Sequence, residues 1–111
     1  MAVLNPRRGE VYWCGFDPTV GSEVQKQRPA IIISNDISNR TLSRVQVIPL
    51  TSNVANVYPS ECLVTIKRQP AKAMADQIRT VSIARLGKRI ATLTSFELAG
   101  VEQVIRLQLD L

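Results

Sequence analysis

Residues 8–34 read RGEVYWCGFDPTVGSEVQKQRPAIIIS, and this stretch decides the fold. Residues 10–16 are rich in β-forming side chains with mixed alternation, which predicts a strand. Residues 30–34 form a short continuous apolar run, the pattern of a buried strand. Between them, residues 17–27 carry Pro18, Gly21 and several polar side chains, and predict a loop. The loop closes on Arg28 and Pro29. A cation therefore stands at the mouth of a strand, fixed by the core behind it, and a cation held in that way meets a phosphate with defined geometry. Residues 47–53, VIPLTSN, repeat the plan, with an apolar run that ends in Thr51 and Ser52.

Working outward, residues 35–39 are rich in Asn, Asp and Ser and predict a turn. Residues 45–50 predict a third strand, and Pro49 argues for an edge or a bulge near its end. A second polar loop follows at 53–59, then a strand at 61–66 that alternates. Residues 67–72 read as a connection. Residues 73–81 predict a fifth strand, with Gln77 and Arg79 on one face by the two-residue period. Residues 82–88 hold a short helical turn ending at Gly87, and 89–93 are extended. Thr94 and Glu97 have the spacing of a capping box. Leu98, Val101, Ile105 and Leu109 then share one helical face, which predicts a core-facing helix with no chemistry of its own. Gly100 weakens this helix by roughly 1 kcal/mol relative to Ala, a cost consistent with close packing. Many strands followed by one helix predict an α+β fold with a mostly antiparallel sheet.

The length, 111 residues, predicts a single domain over 1–111 with one core. Hydrophobic residues make up 45% of the chain, which argues against global disorder. Aromatics are scarce, so the core must be mostly Val, Ile, Leu and Ala. A domain this small gains stability by burying further surface, as in a homodimer. The formal charge of +5 points to an anionic partner, or to a soluble protein that is simply basic. The basic residues occur in small groups rather than a tail, which favours a folded patch. Cys14 and Cys62 form no C-x-x-C pair, and the chain has no histidine, so no zinc site is expected. Each cysteine reads as a buried thiol, with a disulfide between them left open. Residues 1–8 lack the apolar stretch of a secretory signal, and no run approaches a membrane span. The expected location is the cytoplasm, with reduced thiols.

Six ordered motifs carry a resemblance: G-E-V at 9–11, F-D-P at 16–18, G-S-E at 21–23, R-P-A-I-I-I-S at 28–34, I-P-L-T-S at 48–52 and D-Q-I-R-T-V at 76–81. Together they resemble the MazF/PemK toxins, the ribosome-independent mRNA interferases of type II toxin–antitoxin systems, over most of the chain. The resemblance implies a compact SH3-like or CcdB-like antiparallel β-barrel with the C-terminal helix packed across the sheet. It implies that Arg28 and Thr51 form the catalytic centre, with Glu23 as a further catalytic candidate. It also implies RNA contacts by Gln77 and Arg79 of the D-Q-I-R-T segment. Lys26 and Ser52 are further RNA-binding candidates, Ser52 either contacting a phosphate or capping the strand end. The expected partners are single-stranded RNA in a basic groove of a homodimer and a small acidic, MazE-like antitoxin. No metal or other cofactor is expected.

The residues themselves bound the chemistry. Without histidine, cleavage by a histidine pair is excluded. RNA supplies its own nucleophile, the 2′-hydroxyl, and an arginine with a threonine hydroxyl can relieve charge on the phosphorane. Such transesterification leaves a 2′,3′-cyclic phosphate and a 5′-hydroxyl. An arginine, with a pKa above about 12, is a poor base, so Arg28 reads as electrostatic stabiliser or proton donor and Glu23 as the candidate base. Taken alone, each residue has a plainer reading. Arg28 is then a solvated charge, Thr51 and Ser52 are turn residues, Glu23 is a surface carboxylate, and Gln77 and Arg79 belong to the polar face of a strand. Trp13 reads as core, as dimer interface or, with Tyr58, as a base-stacking platform. The loops at 17–27 and 53–60 are the expected readers of RNA sequence. Two rivals remain. One is a gyrase poison of the CcdB type, which uses an aromatic residue at the end of its last helix, where this chain has Leu109-Asp110-Leu111. The other is a barrel that binds RNA without cutting it.

Overall fold

A computed structural model describes residues 5–23 and 26–111. Residues 1–4, and the part of the predicted 17–27 loop at 24 and 25, lie outside the described residues. Seven strands pair antiparallel into one curled sheet, a half-barrel: β1 (Glu10–Gly15), β2 (Gln27–Ile32), β3 (Arg44–Thr51), β4 (Glu61–Ile66), β5 (Gln69–Met74), β6 (Arg79–Ser82) and β7 (Leu86–Thr92). Their order is β4-β5-β3-β2-β1-β7, with β6 also on β3. Among the described residues there are also two α-helices, α1 (Asp36–Thr41) and α2 (Ser95–Leu109). The α+β barrel-like class expected from the sequence is the one observed.

Strand alternation divides the apolar interior between the two faces of the sheet. Val11, Ile31, Ile48 and Leu50 pack on one face with Val101 of α2. Tyr12, Cys14, Ala30, Ile32, Val45 and Val47 pack on the other around Phe16. The capping box of α2 is present: Glu97 N–H donates to Thr94 Oγ1 at 3.1 Å, and Thr94 N–H donates to Glu97 Oε1 at the same distance. Glu97 also accepts from Thr65 N–H at 2.8 Å, which ties the start of the helix to β4. Gly100 allows the close approach inferred for it, since a Cβ there would stand 3.2 Å from Cys62 Sγ. Leu109 departs from expectation: it is 48% exposed, because the helix has by then run past the sheet.

Three other expectations are corrected. The segment read as a turn at 35–39 begins helix α1. Asn35 Oδ1 accepts from Ser38 N–H at 2.8 Å, so the polar residues that favour turns act here as a helix cap. The expected connection at 67–72 is mostly strand β5. Only Lys67 and Arg68 separate Ile66 from its partner Gln69. After so tight a turn, Thr65 and Pro70 fall at a pair that exchanges no ladder bonds, and the missing proline N–H is not needed. Both turn residues have positive φ, 49° and 67°, a conformation that costs an ordinary L-residue about 1–2 kcal/mol.

The strand expected at 73–81 is broken by a single 3-10 turn at Ala75–Gln77. β5 covers one end of the β3 edge, opposite Leu50 and Thr51, and β6 covers the other, opposite Arg44 to Val47. The turn fills the gap between them, and Pro49 sits opposite that gap. Proline interrupts no ladder there, although β2 pairs the other side of β3. Gln77 therefore lies on the turn and Arg79 on the strand, not on one strand face.

Glu10 is buried at the root of β1, where its carboxylate accepts from Arg89 Nη1 at 2.8 Å, Arg7 N–H at 2.8 Å and Tyr12 Oη at 3.0 Å. Burial alone raises its pKa, but the hydrogen bonds outweigh it and leave the carboxyl below its ordinary 4.5. A depressed folded pKa contributes stability above the unfolded value, and that stability is lost as pH falls through the folded one. Denaturant melts across pH should therefore show Glu10→Gln less stable than wild type at pH 7. The two proteins should converge on acidification below 4.5. A constant gap down to pH 2 would contradict the assignment.

Candidate nucleic-acid interface

The β2–β3 ladder ends at Ala30↔Pro49. Two residues further out, the same antiparallel count sets Arg28 opposite Thr51, where the strands have separated. The structure brings both to one open groove of about 500 Å3. Lys26, Ser52 and Lys67 line the same groove, over an apolar floor that includes Leu50, Ile66 and Ala71. Arg28 is half-buried and held in the ladder opposite Cys14. Thr51 Oγ1 accepts from Asn53 N–H at 3.2 Å. With that lone pair engaged, the hydroxyl hydrogen is left to donate elsewhere.

Glu23, Gln77 and Arg79 line a second concavity of about 260 Å3 with Asp76 and Ile78. The sequence-predicted residues thus fall into two groups: Arg28, Thr51, Ser52 and Lys26 in the groove, and Glu23, Gln77 and Arg79 in the second concavity. Glu23 is exposed, and its Oε1 accepts from Val20 N–H at 2.7 Å within its own loop. The Arg79 guanidinium stands 5.5 Å from the centre of the Phe16 ring.

Trp13 is not core, being 43% exposed on a wall of the groove. It shares a strand face with buried Val11, but lies beyond the part of that face covered by α2. Tyr58 is exposed in the 53–60 loop. Both cysteines are free thiols. Burial pushes Cys14 up to about 11, outweighing the nearby arginines, so it stays protonated near neutrality. Among the described residues, no three His, Cys, Asp or Glu side chains come together as a metal-binding group.

Two residues that support the site were not singled out in the sequence. Arg85 Nη1 donates to Asp17 O at 2.6 Å and to Gly15 O at 3.2 Å, fixing the start of the loop that leads to Arg28. Lys72 is buried opposite Thr51, with its Nζ 3.1 Å from Glu61 Oε1 and 2.8 Å from Asn56 O. It also stands 5.5 Å from the Tyr58 ring centre. Glu61 Oε1 in turn accepts from Tyr58 N–H at 2.9 Å. One buried ion pair therefore clamps the loop that follows Thr51. The signal lay in the two-residue turn, which makes Glu61 and Lys72 diagonal neighbours across the hairpin.

The fold and groove define a class, a small basic α+β half-barrel with an arginine and a threonine hydroxyl in one open groove. A sequence profile of the "PemK-like, MazF-like toxin of type II toxin-antitoxin system" matches residues 7–109. Endoribonuclease MazF9 of Mycobacterium tuberculosis (strain ATCC 25618 / H37Rv) is 40% identical over 114 residues, covering 95% of this chain and 97% of that protein. The crystal structure of MazF (Form-I) from Deinococcus radiodurans superposes with a TM-score of 0.86 at 25% identity, covering 98% of this chain and all of that one. A MazE-MazF crystal structure (Form-III) from the same organism gives 0.78 at 26% identity, covering 97% and 99%. The chain belongs to the PemK-like, MazF-like toxin family of type II toxin–antitoxin systems.

Removing one partner of the buried pair leaves the other charge unpaired, so Lys72→Ala should lower the unfolding free energy by roughly 3 kcal/mol or more. Lys72→Met combined with Glu61→Gln should recover most of that loss. Urea titration of the three proteins measures both effects. Equal stability of wild type and Lys72→Ala would remove the clamp from the account.

Proposed function

We propose that this chain is the toxin of a type II toxin–antitoxin system and an endoribonuclease. It would cut single-stranded RNA at defined sequences by transesterification. The observation that carries the reading is the convergence of Arg28 and Thr51 on one groove at the open end of the β2–β3 ladder. RNA brings the nucleophile, so the protein has to hold the 2′-hydroxyl in line and stabilise charge on phosphorus. Arg28 acts as a planar multiple donor to the phosphorane oxygens, in a half-buried position that strengthens the attraction. Thr51 adds a hydroxyl whose oxygen accepts from Asn53 N–H and whose hydrogen is left to donate to the phosphorane. Charge relief thus comes from side chains, and the reaction needs no metal ion. The products are a 2′,3′-cyclic phosphate and a 5′-hydroxyl.

Glu23 is the candidate acceptor of the 2′-hydroxyl proton. It lines the second concavity and accepts from Val20 N–H, so this role requires its loop to bring the carboxylate to the groove when RNA binds. Lys26 and Ser52 hold phosphates beside the reacting one. Gln77 and Arg79 contact the strand through the second concavity. The wider reading is a cytoplasmic homodimer of single-domain subunits, blocked by an acidic antitoxin segment that occupies the basic groove. The +5 charge and the likeness to a MazE-MazF complex support that partner. Among the described residues, no helix is long and apolar enough to cross a membrane.

The test is cleavage of a long unstructured RNA in EDTA, with 5′ ends and cyclic phosphates mapped. Wild type should cut at one short recurring sequence, and Arg28→Ala should lower kcat about 10²–10³-fold. Glu23→Gln should slow cutting while leaving RNA affinity unchanged. A folded wild type that leaves the RNA intact would overturn the reading and favour a binding module or a gyrase poison.

A further inference from the structure

We propose that the β4–β5 turn, Lys67 with Arg68, is a phosphate-binding arm that carries the RNA path past the groove of Arg28 and Thr51. The inference rests on RNA being the ligand of that groove.

The first observation is conformational. The turn has two residues, and both take the left-handed backbone that favours Asn and Gly. Two long cationic side chains occupy it instead. Among the described residues, neither enters an ion pair, a ring contact or a side-chain hydrogen bond. Both are exposed, so packing does not account for the choice. Backbone strain without a structural return points to function.

The second observation is position. Lys67 lines the same groove as Arg28, Thr51 and Lys26. Lys26 is itself left-handed, at φ 65°, so of the four described non-glycine residues with positive φ, three are cations. The fourth, Asp110, is the C-cap of α2, where that conformation terminates a helix. Two of the three cations line the groove, and Arg68 adjoins one of them. A tight turn also holds charge with less freedom to lose than a long loop, which favours it as a fixed contact for successive phosphates.

Replacing the turn by its preferred residues, Lys67→Asn with Arg68→Gly, separates structure from function. The probe is a fully 2′-O-methylated single-stranded oligonucleotide that spans a mapped cleavage sequence and cannot be cut. The double variant should be at least as stable as wild type and bind roughly tenfold more weakly at low salt. Its slope of log affinity against log salt should be shallower by about 1.4, the value for two phosphate contacts on a single strand. Lys67→Arg should keep the wild-type slope. An unchanged slope, or a variant less stable than wild type, would overturn the arm. Cutting by wild type is measured in the same series. If wild type cuts and the slope is unchanged, the arm alone fails. If wild type neither cuts nor binds, the reading of the groove fails with it.

Discussion

The pairing of β2 with β3 is the constraint on which the rest of the structure depends. Three residue pairs, ending at Ala30↔Pro49, lock the two most apolar runs of the chain together. Their side chains supply both faces of the interior, Ile31 and Ile48 on the helix side, Ala30, Ile32 and Val47 on the other. Because the ladder stops there, the next residues outward splay apart while their backbones stay anchored. Arg28 and Thr51 occupy that splay, and the groove follows from it. Proline marks the boundary on both strands: Pro29 lies just beyond the last pair, and Pro49 faces the gap between β5 and β6.

Electrostatics around this frame divides into two kinds. Glu10 with Arg89, and Glu61 with Lys72, place a buried carboxylate against a cation and fix backbone nearby. These pairs hold shape: the first secures the root of β1, the second the loop after Thr51. Lys26, Lys67 and Arg68 are exposed and sit in costly backbone conformations. The contrast matters for function, since cations consumed by internal pairs are lost to a polyanion. In the proposed reaction, the paired charges set the geometry and the exposed ones meet RNA.

Much of this was legible in the sequence. The apolar runs at 30–34 and 45–50 gave their strands directly, and Thr94 with Glu97 gave the start of α2. What escaped depends on pairing at a distance. Pro70 argued against a strand until the two-residue turn placed it where no ladder bond is made. Asn35 favoured a turn until its side chain was seen to cap α1. Trp13, inside a strand, read as core, dimer interface or base-stacking platform, and its exposure could not be read because sequence does not show how far α2 covers the sheet. At the candidate site, Arg28 and Thr51 stood out through the family resemblance, since their strand-end positions alone fit a solvated charge and a turn residue equally well. Lys72 was not, since its role depends on a register that only the turn at 67 and 68 sets.

The central claim is that Arg28 and Thr51 act on the same phosphate. A double-mutant cycle on single-turnover cleavage tests it most directly, using Arg28→Ala, Thr51→Ala and the pair at saturating protein. If both side chains donate to one phosphorane, the double variant should be little slower than Arg28→Ala alone. Full additivity of the two single losses would mean that the residues act independently, and would contradict the account.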